Sequence, residues 1–302
     1  MDTPDARREF ADFLASRRAR LTPEQAGLPI YGGNRRVAGL RREEVALMAG
    51  VSVDYYVKLE RGNARGVSES VLEALSRALQ LDEAERAHLL DLAHAISTTG
   101  RAPKRGPKPR VRPSIQRILD SMAGTPAYVR NRRLDILATN RLGRALMAPI
   151  LADPRRPANL GRFMFLDQAA PEFYPDWEPV ASDIVAILRS EAGRDPHDKA
   201  LQDLIGELST RSELFRTRWA SHNVRLHRTG IKRIRHHVVG ELTLDYDAME
   251  LPADTGLTII AYSAEPASPS ADNLRLLASW AATLDQESGV SEQADVTVRD
   301  KA

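Results

Sequence analysis

The chain contains no cysteine, few aromatic residues and few histidines. Cysteine is absent from all 302 residues, which removes disulfides, thiolate nucleophiles and zinc sites of the finger type. Only 7 histidines remain to build an imidazole site, and aromatic residues make up 5% of the chain. No apolar run approaches the roughly 18 residues that a membrane-spanning helix requires. The first twenty residues are charged from position 2 and lack an apolar signal core, so a cytoplasmic protein is expected. No His-Glu-x-x-His, Gly-x-Ser-x-Gly, Gly-x-Gly-x-x-Gly or Walker loop occurs, so no catalytic constellation is recognised and no cofactor is expected.

What is present is an ordinary soluble composition, 42% apolar and 28% charged, on a chain about twice the length of a one-core domain. Two domains are expected. Net charge is +2, but it is unevenly spread. Residues 1–100 hold 14 Lys+Arg against 15 Asp+Glu, whereas residues 101–112 hold six basic and no acidic residues. The segment 100–113, with four prolines and two glycines among those cations, reads as an interdomain linker; its charges serve either phosphate contacts or solvation of the hinge. Upstream, over residues 1–99, apolar residues recur at helical spacing, as in Phe10, Phe13, Leu14 and in Val71, Leu72, Leu75, Leu79, so this domain is all-helical. Downstream, over 114–284, helical stretches around 114–122, 140–151, 181–191, 198–220 and 270–282 alternate with strands near 126–131, 133–139, 222–228, 231–237, 239–247 and 256–263. Short turns between neighbours make that sheet antiparallel, with helices on one face, so the chain is α+β. The polar tail 285–302 is expected to be disordered.

The most informative stretch runs from Leu40 to Gly62. Gly50 suits the left-handed turn that stops a helix, and Ser52 suits the N-cap of the next. Ala46 and Ala49 allow two helices to approach closely, while Val51, Tyr56 and Leu59 fill the angle between them. This is the logic of a helix-turn-helix, whose second helix enters the major groove of DNA. With Val51-Ser52 before that helix and Glu60-Arg61-Gly62 closing it, the segment resembles the XRE family of the phage-repressor type, over residues 5–96 as a five-helix domain. The loop 21–39 is longer than in phage repressors. Helical spacing puts Asp54, Tyr55 and Lys58 on the exposed, base-reading face, with Ser52 at its start. Arg41, Arg42, Arg61 and Arg65 are placed to meet phosphates, and Arg35 and Arg36 to meet backbone or minor groove.

In the second domain, Phe163, Phe165, Phe173, Tyr174 and Trp177 crowd into one proline-broken stretch, which reads as a pocket wall or a dense core. If a pocket, Asn140, Arg162 and His222 are candidates to hold a polar ligand head, with Phe163, Phe165, Trp177, Phe215 and Trp219 as its apolar wall; Asn140 equally fits an N-cap. His222, His227, His236 and His237, with Glu241 and Asp245, are the one cluster considered for metal, and strand alternation separates His236 from His237, so no metal is expected. The runs 136–140, 214–219, 238–244 and 262–270, together with Gly39-Leu-Arg-Arg-Glu-Glu-Val-Ala46, resemble the MmyB-like transcription regulators. His236-His237 departs from the His-Pro more usual there. The resemblance implies an XRE helix-turn-helix followed by a PAS-like domain that takes a small apolar, fatty-acid-like molecule. It implies a cytoplasmic transcription factor; since one such helix reads too few base pairs, a homodimer on a palindromic operator of double-stranded DNA is expected, acting without catalysis and without membrane association.

Overall fold

The computed structural model describes residues 3–28, 37–97, 110–224 and 228–283. The linker residues 98–109, the tail from 284, and Arg35 and Arg36 lie outside the described residues. The chain runs through α1 (Thr3–Arg20), α2 (Arg42–Ala49), α3 (Val53–Glu60), α4 (Glu69–Ala78), α5 (Glu83–Ser97) and α6 (Pro113–Ser121). It continues through β1 (Ala127–Asn131), β2 (Ile136–Thr139), α7 (Arg141–Leu146), α8 (Ala148–Leu151), α9 (Leu160–Leu166) and α10 (Ala170–Phe173). Then come α11 (Trp177–Arg194), α12 (Lys199–Arg211), α13 (Glu213–Ala220), β3 (Thr229–His236), β4 (Gly240–Glu250) and β5 (Leu257–Ser263). A last helix, α14, occupies 269–283.

These elements form two compact units that do not follow linear order: Met1–Gly106 with Ser182–Leu226, and Pro107–Ala181 with His227–Ala302. In the first, Phe10, Phe13 and Leu14 of α1, Val45 and Ala46 of α2, and Tyr56 and Leu59 of α3 share one core with Leu72 and Leu75 of α4 and Leu89, Leu92 and Ile96 of α5. The apolar spacing read from the sequence thus builds five helices, each closing part of that core. Val224, far along the chain, is buried in the same core.

The second unit carries an antiparallel sheet in the order β2-β1-β5-β4-β3, the PAS-like layout that the resemblance implies. Along β3 and β4 burial alternates: Lys232, Ile234, His236, Leu242, Leu244 and Tyr246 are covered while their neighbours face solvent. At β1 and β5 both faces are covered. There α6 packs Ile115 and Leu119 on Ala127, Val129, Leu257 and Ile259, so one helix lies on the face opposite to Tyr128 and Ile260. Beyond Ser263, β4 loses its β5 partner, and α14 supplies the bonds instead: Ser270 Oγ accepts from the Thr243 N–H at 2.9 Å and Asn273 donates to the Glu241 carbonyl at 3.2 Å.

Two expected elements differ. The strand expected at 222–228 does not form over its described residues, with His222 at φ 52°, a conformation a strand does not take. The single helix expected over 198–220 breaks at Ser212, which is extended and whose hydroxyl caps α13 by accepting from the Phe215 N–H at 3.1 Å.

Candidate functional site

The turn between α2 and α3 is built from local chemistry. Gly50 takes φ 66°, open to glycine without a Cβ clash, and its N–H reaches back to Leu47 at 3.2 Å. Ser52, extended, accepts the Tyr55 N–H on its hydroxyl at 3.1 Å and opens α3. At the start of α2 the Arg41 N–H donates to the Glu44 carboxylate at 2.6 Å. The recognition helix then buries Tyr56, Leu59 and Glu60 and exposes Ser52, Val53, Asp54 and Lys58, with Arg61 and Arg65 exposed just beyond it.

One expectation on this helix needs correcting. Tyr55 is half-buried and packs against the helical core, because it stands four residues before Leu59 and shares its stripe. Val53, overlooked in the sequence because apolar residues read as core, is 45% exposed at the leading end of the helix.

The arginines divide by partner. Glu60, buried, receives Arg18 Nε at 2.6 Å from α1 and also pairs with Arg42 from α2. That hydrogen bond and the Glu60 charge raise the Arg42 guanidinium above its usual range. Arg42 therefore braces α2 against α3 as well as facing solvent. Arg41 lies 3.4 Å from exposed Glu43, a contact that solvent weakens.

In the second unit, Asn140 is the N-cap of α7 and its side chain is saturated. Its Oδ1 accepts from Gly143 at 2.7 Å and Ala127 at 3.0 Å, and its Nδ2 donates to the carbonyls of Thr125 and Met122 at 2.7 and 2.9 Å. With four bonds made it has none left for a ligand, which corrects its place among the candidates. Arg162 and Phe163 do come together, beside Asp153, Arg155 and Leu166 on a cavity of about 380 Å³. Phe163 also meets Phe173 edge-on at 5.7 Å, while Phe165 meets Trp177 at 6.1 Å and the Trp177 Nε1–H donates to the Met164 carbonyl at 3.2 Å.

The sequence reading missed a second group, on the face of the sheet opposite to α6. Tyr262 lies between Tyr128 and Tyr246, 6.3 Å from each, and buried Arg130 follows Tyr128 on the same face of β1. Lys232, also buried, stands 5.3 Å from the Tyr246 ring. Burial pushes the phenols of Tyr128, Tyr174 and Tyr262 above their usual range, so all three remain neutral donors. Two-residue spacing along each strand was the available signal; the pairing of distant strands was not.

Trp219 and His222, expected at the ligand wall and the ligand head, belong with Phe215 to the first unit, where Trp219 and His222 meet Arg189; Phe163 belongs to the second unit. Arg189 is 1% exposed, pairs with Glu9, reaches His222 Nδ1 at 3.0 Å, donates to the Trp219 carbonyl and lies 4.1 Å from the Trp219 ring. Trp219 in turn stacks on Phe215 at 5.6 Å. Burial opposes a charge on Glu9, but the His222 hydrogen bond and the Arg189 charge hold its carboxyl down at about 2.

His236 is buried, donates from Nε2 to the Ala145 carbonyl at 3.1 Å and accepts from the Val238 N–H at 3.3 Å; burial lowers its pKa and it is neutral. His237, just past the end of β3, lies 4.6 Å from it ring to ring. Among the described residues no group of three His, Asp or Glu could hold a metal ion, and no helix is long and apolar enough to cross a membrane.

A capped, solvent-facing second helix joined to a sheet-and-helix unit defines a helix-turn-helix regulator with a ligand-binding domain. Residues 9–89 match the helix-turn-helix domain family, and residues 111–277 match the MmyB-like transcription regulator ligand binding domain. The second match covers more than half of the chain, which belongs to the MmyB-like transcription regulators. No curated protein matches the chain.

Proposed function

We propose that this regulator acts in the cytoplasm, without catalysis, as a homodimer on a palindromic operator, and that its second domain answers to a small apolar acid of fatty-acid type. What carries the DNA part is the solvent face of α3, where Val53, Asp54 and Lys58 stand exposed on a helix whose other face is core. A valine there suits a thymine methyl, Lys58 a guanine edge and Asp54 a cytosine amine. A single such helix reads too few base pairs, so two copies are set about one turn of DNA, roughly 34 to 36 Å, apart. The effector part is supported by a buried sheet face that combines Ile234, Leu244 and Ile260 with phenols and the cations Arg130 and Lys232, an environment suited to an acyl chain with an anionic head.

The test is selection of operator DNA from random duplexes by the full-length protein. Val53→Ala and Lys58→Ala shift the selected sequence, whereas Arg61→Ala weakens binding to every sequence and lowers the salt slope by about one. Unchanged selection by both of the first two variants overturns the docking. Native mass spectrometry, followed by denaturing extraction, tests the rest: a dimer releasing a lipid acid supports the effector, and a dimer of bare mass favours a second domain that only dimerises.

A further inference from the structure

α11 begins at Trp177 in the second unit and carries Arg189 into the first. Arg189 lies within the ligand-binding match, but its carboxylate partner Glu9 stands on α1, within the helix-turn-helix match. A buried ion pair is a poor device for stability, since desolvation offsets the attraction and apolar residues of similar volume serve as well or better. What the pair supplies is geometry: a planar guanidinium held on Glu9, on the Trp219 carbonyl and over the Trp219 ring allows one seating of α11 on α1. Further along α1, Arg18 holds Glu60 at the end of the recognition helix.

We propose that Arg189 is a positioning residue through which the ligand-binding segment sets the placement of α1, and through Arg18 and Glu60 that of the recognition helix. This inference rests on the DNA-binding reading above. A change in α11 that shifts Arg189 moves α1 and α3 together, because each joint is a buried, directional contact between helices.

The experiment uses the full chain with Arg189→Met, Arg189→Lys and the double variant Glu9→Leu with Arg189→Met. Hydrogen exchange by mass spectrometry reads α1, α3 and β4 peptides, a thermal melt reads the fold, and binding is measured on duplexes selected by the unaltered protein. Arg189→Met speeds exchange in α1 and α3 about tenfold, leaves β4 unchanged and weakens operator binding about tenfold, within the usual range of coupling between sites. Arg189→Lys, which keeps the charge, restores part of both. The double variant, with both buried charges gone, recovers the melt and not the operator affinity. Recovery of both by the double variant, or faster exchange confined to α11–α13, overturns the proposal. If the unaltered protein selects no duplex, the DNA-binding reading fails, and the exchange pattern in α1 and α3 still decides the link.

Discussion

His88 shows how far burial governs a single residue. The ring is 2% exposed on α5, meets Phe13 edge-on at 5.1 Å, and neither of its nitrogens has a hydrogen-bond partner among the described residues. Burial drives its pKa down to about 3; the Glu9 charge opposes this, while Arg189, Arg17 and His222 add to it. Between that value and the ordinary 6.5, the unfolded chain binds a proton that the folded protein refuses, so stability falls as pH drops through this window. Glu9, with its carboxyl at about 2, adds a loss in the same direction only below its ordinary 4.5. His88 therefore contributes a fall in stability between pH 7 and pH 5. The urea midpoint, read by exchange of α5 peptides, drops between those two pH values in the unaltered protein, and His88→Phe flattens the drop. An equal drop in the variant would mean that another group carries the dependence. None of this is legible in the sequence, where His88 is one polar letter in a helical run and Glu9 and Arg189 stand 180 positions apart. By contrast Gly50 and Ser52 were legible, because caps act within three or four residues.

Elements depend on how closely they approach one another, and α11 comes close to a side chain of α5 in the first unit. A Cβ built on Gly193 would lie 2.5 Å from the His88 ring, which is already hemmed in by Phe13. Gly193→Ala therefore forces α11 away from α5 and destabilises the unit by about 1 to 3 kcal/mol, the usual range for overpacking. Combined with His88→Ala, which removes the obstructing ring, the added cost of the alanine at 193 disappears. Urea unfolding of the four proteins of this cycle measures that coupling, and purely additive costs would mean that the two positions do not meet. At this scale the reading of the sequence held where period and caps agreed, as in α2 to α5. It failed over the described part of 222–228, where alternating letters suggested a strand but Arg17 holds the carbonyl of His222, itself at φ 52°. Alternation reports one face apolar and one polar; it does not report whether a neighbouring strand exists to pair with.

At the scale of the whole molecule, the chain enters the first unit, leaves it for the second, returns for residues 182–226 and leaves again. The basic, proline-rich linker marks where the family matches separate, but the first unit does not end there. Its core takes Val224, its buried charge Glu9 takes Arg189, and Arg17 is held by the His222 carbonyl as well as by Glu85 at 2.8 Å. An excised helix-turn-helix would lose Val224 from its core and the partners that Arg189 and His222 supply to Glu9 and Arg17, uncovering that face to water. A cut in the linker should then break the covalent chain without separating its parts. With a protease site inserted between Gly100 and Arg101, the cleaved protein elutes from a sizing column as one species containing both fragments and keeps its operator affinity. In Arg189→Met, or in 1 M salt with moderate urea, the N-terminal fragment dissociates first. Two fragments that part at once under native conditions would show that the helix-turn-helix stands alone, and that residues 182–226 rest on its surface without completing it.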